Sequence, residues 1–305
     1  MRVISYRHNG TPGVGVMVDD TNFIALSAAA AELPSDLRRI LEIDPNLDRV
    51  RTATAGRSAD MSIGDITFDP VIPAPHASWA LALNYTLHIE ETGLTTSRDY
   101  PQIFLRMPIC QVGHDEELWA PNLKIAEAYD YEGELAVIIG KPGRFISREN
   151  AFDHVAGYSC YNEGSVREYQ SQNRQFGLGK NFERSGSFGP WLMTPDEFGD
   201  PADHTLTTRL NGIERQNAKM SGMLFDVPRL IEYLSEGYTL QPGDVIVSGS
   251  PGALPLRPGE KPETPRGPVK VEGQLHMRAG DVCEVEIDGL GVLSNHVVTD
   301  PTPVP

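Results

Sequence analysis

The chain is poor in cysteine, poor in positive charge and without any long apolar run. Cys110, Cys160 and Cys283 are its only cysteines, odd in number and far apart, and no Cys-x-x-Cys pair exists. That excludes a disulfide framework and a thiolate zinc site, and leads us to expect a reduced, cytoplasmic protein. The longest purely aliphatic stretch is Leu135-Ala136-Val137-Ile138-Ile139. A bilayer-spanning helix needs about 20 apolar residues, so no membrane span is expected. The opening Met1-Arg2-Val3-Ile4-Ser5-Tyr6 reads as strand sequence, not as the apolar region of a signal peptide. Lys and Arg number 26 against 42 Asp and Glu, a formal charge of -16, with no basic run. Such a surface repels phosphate backbones and anionic lipid, so neither nucleic acid nor membrane is an expected partner. An anionic small substrate needs a few local cations to hold it. Common catalytic motifs are also missing. Ser248-Gly249-Ser250-Pro251-Gly252 has the wrong spacing for a nucleophile elbow, and Gly177-Leu178-Gly179 lacks the third glycine of a dinucleotide fingerprint.

What remains is ordinary globular composition, 40% hydrophobic and 22% charged, in 305 residues. The 29 glycines and 24 prolines suit many turns better than a helical bundle. Strands are expected at residues 2–6, 13–18 and 23–26, then a short helix at 36–42 capped by Ser35. Pro70, Pro73 and Pro75 make a stiff linker. We therefore divide the chain into a small N-terminal β-rich domain, residues 1–70, and a larger domain, residues 71–305. In the larger part, residues 134–139 read as a buried strand. Asn211-Gly212 and Asp288-Gly289 read as hairpin turns between paired strands. Helices are fewer, at 147–152 and at 227–234 with Asp226 as N-cap. Residues 254–270 carry five prolines and read as a long exposed loop. The fold class is mixed α+β, dominated by strands.

Asp130-Tyr131-Glu132-Gly133-Glu134 is the most informative stretch. On a strand, Glu132 and Glu134 share a face about 7 Å apart. Two carboxylates beside an apolar run repel each other and resist desolvation, and a divalent cation between them relieves both costs. A solvent-facing strand edge would carry the same spacing. Glu163 follows a strand-like run and offers a third carboxylate. Three oxygen ligands without His or Cys suit a hard ion, Mg²⁺ or Mn²⁺. His88 and Glu91 stand three apart in Asn84-Tyr85-Thr86-Leu87-His88-Ile89-Glu90-Glu91. On a helix they form a general-base pair, although a solvated helix face has the same pattern. Arg106 and Lys180 are local cations that could hold a substrate carboxylate, or plain surface charges.

Taken in order, these segments resemble the fumarylacetoacetate hydrolase family across roughly residues 72–298. The resemblance rests on Asn84-Tyr85, His88 and Glu91, Phe104-Leu105-Arg106-Met107-Pro108, and Tyr131-Glu132-Gly133-Glu134-Leu135. It continues through Ala156-Gly157-Tyr158, Gly179-Lys180-Asn181-Phe182, Gly189-Pro190-Trp191, Asn211-Gly212 and Pro242-Gly243-Asp244. It implies a fumarylacetoacetate hydrolase-like β-roll with few helices, assembled as a homodimer. It implies Mg²⁺ or Mn²⁺ held by Glu132, Glu134 and Glu163, and a small 2-oxo acid or β-dicarbonyl substrate. His88 and Glu91 would sit on a mobile lid and activate water, and Lys180 would stabilise an enolate. Asn211, Gln216 and Ser250 would lie at the pocket rim. Two residues depart from the family pattern: Glu163 stands where aspartate is usual, and Arg106 where lysine is common. Residues 254–270 are also long for the family and, with residues 92–100, would set specificity. The expected activity is hydrolysis of a carbon–carbon bond in an acylpyruvate or related β-diketo acid, a reaction of aromatic catabolism. A decarboxylase or isomerase working through the same metal-bound enolate is the alternative, and a non-catalytic binding protein is a third reading.

Overall fold

A computed structural model describes residues 1–85, 99–173, 175–261 and 275–304. Its organising element is the strand Gly133–Ile139, whose seven residues are all buried. The apolar run has no polar alternation, which is what a strand covered on both faces requires. Leu135, Val137 and Ile139 enter one core, with Tyr158, Leu206, Leu230, Ile231, Val285 and Leu293. Ala136 and Ile138 enter a second core on the opposite face, with Val3, Val14, Leu37, Ile40 and Leu41. Alternate side chains of one strand thus hold two layers together.

Gly133–Ile139 lies inside a long mixed sheet. It pairs antiparallel with Val155–Asn162 on one side and with Val245–Val247 on the other. Beyond Val155–Asn162 the sheet continues through Gly186–Met193, Arg2–His8, Thr11–Met17 and Asn22–Ala25. Beyond Val245–Val247 it continues through Ser78–Ala82 to Gln102–Leu105. A second sheet carries, in spatial order, Ile213–Lys219, Thr205–Leu210, Val282–Ile287, Gly291–Thr299 and Leu118–Ala120. It packs on the first core face together with the helix Val227–Gly237. The architecture is the expected strand-dominated α+β class.

Local chemistry explains most element boundaries. Asn211 and Gly212 take positive φ at the first hairpin turn, and Gly289 at the second. Asp226 caps Val227–Gly237 by accepting the Arg229 N–H at 3.0 Å. The N-terminal helix, Leu37–Ile43, is capped by Asp36, which accepts from the Arg38 and Arg39 N–H groups. This corrects the expected Ser35 cap: the helix starts one residue later, and a carboxylate meets its free donors. The segment 147–152 forms a 3-10 helix, Arg148–His154, not an α-helix.

The strands before and after the proline-rich segment 70–75 share a sheet. Arg2 and Val3 pair with Met193 and Leu192. Val3, Val14 and Val16 lie in one core with Ala136, Val245 and Val247. Among the described residues, no helix is long and apolar enough to cross a membrane. The three cysteines are free and buried.

Candidate active site

Two chain segments meet where Gly133–Ile139 begins and Val155–Asn162 ends. Gly133 pairs with Asn162, and a short ladder pairs Tyr129 with Val166 and Asp130 with Ser165. Between them the Glu163 N–H donates to the Glu132 carbonyl at 2.8 Å, and the Glu132 N–H donates to Asn162 Oδ1 at 3.1 Å. Backbone pairing therefore sets Glu132 and Glu163 side by side. Glu134 joins them one step into the strand. One carboxylate oxygen from each of the three lies within 4.8 Å of the others, and all three residues are buried. Next to Glu163, Gly164 lets the chain pass close against Ser185, since a Cβ there would sit 1.5 Å from the Ser185 carbonyl oxygen.

Cations enclose the cluster. Lys180 ends a 3-10 turn, Leu178–Lys180, and is itself buried. Its Nζ donates to Glu132 and, at 2.6 Å, to Glu163, and lies over the Phe104 ring at 5.3 Å. Arg167 gives Nε and Nη2 to Asp130 Oδ2, at 2.9 and 2.6 Å, and places Nη1 2.6 Å from Glu132 Oε1. Arg106 is 3% exposed; its Nη1 donates to the Gly164 carbonyl at 3.1 Å and its Nε stands 3.9 Å from Glu163 Oε1. Four buried carboxylates, Asp130, Glu132, Glu134 and Glu163, face three buried cations, Arg106, Arg167 and Lys180.

This balance divides the three glutamates. Burial works against a charged Glu132, but Arg167 and Lys180 outweigh it and hold its carboxyl below the usual range. Burial, followed by repulsion from Glu163 and Glu132, pushes the Glu134 carboxyl well above the usual range. Burial also raises Glu163, against the pull of Lys180 and Arg106. Glu134 Oε2 accepts the Gly249 N–H at 2.5 Å, where Gly249 holds φ +88°. Among the described residues, Glu134 Oε1 and Glu163 Oε1 are buried without a hydrogen-bond partner. An orphaned buried acceptor costs about 1–3 kcal/mol, more when charged. The three carboxylates therefore fit a hard divalent ion: oxygen donors only, close together, with two oxygens unmatched.

The other expected site residues fall differently. His88 and Glu91 lie outside the described residues, as do residues 92–98 and 262–270 of the two specificity loops. Gln216 and Ser250 are buried and bonded to each other at 2.7 Å, and Gln216 Oε1 accepts the Gly133 N–H at 2.9 Å. Asn211 is exposed at its hairpin turn, with Nδ2 on Asp281 and Oδ1 on the Val282 N–H. Its bonds are turn chemistry, and none reaches the acidic cluster. Arg106 lies behind Glu163. Asp130 and Arg167 were not singled out from sequence. Arg167, four residues beyond Glu163, was the available signal, but a helix start carries such a charge routinely.

The fumarylacetoacetate (FAA) hydrolase C-terminal family model matches residues 77–298. The chain is 34% identical to an oxaloacetate tautomerase of Bacillus subtilis over 77% of its own length and 74% of that protein's. It is 36% identical to a 2,4-didehydro-3-deoxy-L-rhamnonate hydrolase of Sphingomonas over 72% of each. The crystal structure of a Sphingobium maleylpyruvate hydrolase superposes with a TM-score of 0.77 at 25% identity, covering 98% of this chain and 100% of that one. A second structure of that hydrolase holds manganese(II) and pyruvate, and at 24% identity, with the same TM-score of 0.77, it speaks for the fold. Family model, relatives and architecture agree: the chain belongs to the fumarylacetoacetate hydrolase family.

Proposed function

We propose that this protein is a metal-dependent hydrolase that cleaves a carbon–carbon bond in an acylpyruvate or related β-diketo acid. The observation that carries the reading is the buried triad Glu132, Glu134 and Glu163, with two carboxylate oxygens unmatched among the described residues and Lys180 bridging Glu132 and Glu163. These three residues would hold Mg²⁺ or Mn²⁺, the hard ions that a cluster of oxygen donors without His or Cys suits. When bound, the ion supplies Lewis acidity to the oxo-acid oxygens. Arg167 keeps Glu132 ionised and fixes its orientation through Oε1. Lys180 offers a positive charge where an enolate oxygen would develop, in a dry surrounding that strengthens its effect. The Gly249 N–H fixes Glu134 from behind. His88 and Glu91 remain our assignment for the pair that takes a proton from water.

Keto–enol tautomerisation of oxaloacetate is the second reading, favoured by the Bacillus relative. Both reactions pass through an enolate and need the same carboxylates and lysine. A panel of acylpyruvates and oxaloacetate, each assayed with Mg²⁺, Mn²⁺ or chelator, separates them. Hydrolysis releases pyruvate and a second acid, whereas tautomerisation changes the enol absorbance with the carbon skeleton intact. We expect metal-dependent pyruvate release from at least one acylpyruvate. Absorbance change alone, with no cleavage of any acid, would favour the tautomerase. Full turnover in strong chelator would remove the metal-dependent reading altogether.

A further inference from the structure

Arg215 and Gln216 are neighbours in the strand Ile213–Lys219, yet both are buried, while Glu214 and Asn217 beside them are exposed. A regular strand sends consecutive side chains to opposite faces. The register explains the exception. Thr208 sits opposite Gln216 and Arg209 opposite Glu214, so Arg215 is the extra residue of a β-bulge. The bulge brings both side chains to bear on one irregular segment, residues 249–260.

That segment is laced to the strand along its length. Gln216 Nε2 donates to Ser250 Oγ and to the Pro251 carbonyl, both at 2.7 Å. The Leu254 N–H donates to the Arg215 carbonyl at 2.6 Å. The Arg215 guanidinium then grips Glu260 with two bonds, at 2.8 and 2.7 Å. Glu260 also accepts the Arg257 N–H at 2.8 Å, which closes the far end of the segment into a turn. The near end is Gly249, whose N–H holds Glu134. Pro251, Pro255 and Pro258 have no N–H to offer a sheet, so side chains do most of the work of holding this strap in place. A two-bond guanidinium–carboxylate pair fixes orientation as well as distance.

We propose that Arg215 and Glu260 form a latch that holds residues 249–260 as one wall of the substrate pocket, and so sets the length of oxo acid the site accepts. The proposal rests on reading the acidic cluster as an oxo-acid centre. The two are positioning residues: they act through the strap on the part of the substrate remote from the reacting carbons. Loosening the wall should weaken binding of that part, which raises KM more than it lowers kcat.

The test uses the full-length, Mn²⁺-loaded protein and the variants Glu260→Gln, Glu260→Asp and Arg215→Lys. Three quantities are measured: amide hydrogen exchange across residues 250–260, Mn²⁺ affinity, and kcat and KM for oxaloacetate and for acylpyruvates of increasing length. In Glu260→Gln we expect exchange at Leu254 and Arg257 to rise at least about tenfold, with Mn²⁺ affinity within about twofold of the parent. KM should rise about tenfold for the longest acylpyruvate and little for oxaloacetate, and Glu260→Asp should recover part of the loss. Unchanged exchange in all three variants would overturn the latch. Raised exchange with equal KM changes for short and long acids would overturn its role in specificity. If the parent turns over none of these acids, the functional reading fails separately. The latch is then decided by exchange and by competitive binding of the same acids, with the same dependence on length.

Discussion

Glu132 and Glu134 stand two residues apart, and their surroundings give them opposite contributions to stability. Glu134 has its folded-state carboxyl raised by burial and by repulsion from Glu163 and Glu132. A raised acid contributes stability below its ordinary range and loses it as pH rises through the folded value. Glu132 is held low by Arg167 and Lys180 in spite of burial, so its contribution is present at neutral pH and lost only in acid. In chelator, Glu134→Gln should therefore stabilise the protein at neutral pH by about 1–3 kcal/mol and flatten the decline in stability as pH rises above the ordinary carboxylate range. Glu132→Gln should destabilise it by about 3–5 kcal/mol, because Arg167 and Lys180 lose a buried counter-charge. Denaturant titrations of both variants across pH check the contrast; equal effects would contradict it. Glu132 and Glu134 were legible from sequence because two carboxylates are improbable beside an apolar strand run, Glu163 because it follows a strand-like run, and Lys180 as one of few local cations. Asp130 and Arg167 were not, because the pair spans 37 residues and exists only once the short ladder has formed.

Hairpin turns and the cap at Asp226 follow from short-range chemistry and were the most legible elements, whereas the N-terminal helix cap falls on Asp36, one residue after the expected Ser35. Asn211-Gly212 and Asp288-Gly289 mark turns because positive φ is needed there. The cap on Val227–Gly237 is readable for the same local reason. Asp226→Ala should cost about 1–2 kcal/mol, since it frees the Arg229 N–H and also removes the partner of Arg148. Chemical denaturation measures this, and a change below a few tenths would show the cap to be dispensable. Sheet order and the bulge at Arg215 were illegible, because both depend on pairings between distant strands. The bulge reverses the inward and outward alternation that a sequence pattern assumes. Arg215, an ordinary strand charge by sequence, is for this reason a buried residue that grips Glu260.

At the scale of the whole chain, the N-terminal segment completes the sheet that carries the site. Pro70, Pro73 and Pro75 stand out in the sequence, but nothing local reveals that Val3 on one side of them pairs with Leu192 on the other. Removing residues 1–70 would open the edge of Gly186–Met193 and uncover the face of Gly133–Ile139 that bears Ala136 and Ile138. We expect the truncated chain to lose cooperative unfolding and to expose apolar surface to a hydrophobic dye; a cooperative transition in it would show two independent domains. The same sheet positions the acidic cluster, and the central claim concerns what that cluster binds. Calorimetric titration of the metal-free protein with Mn²⁺ tests it most directly, with the Glu132, Glu134 and Glu163 to Gln variants beside it. The account predicts a single site per chain in the parent and affinity reduced by about a hundredfold or more in each variant. Absence of binding in the parent, or binding that survives all three substitutions, would contradict it.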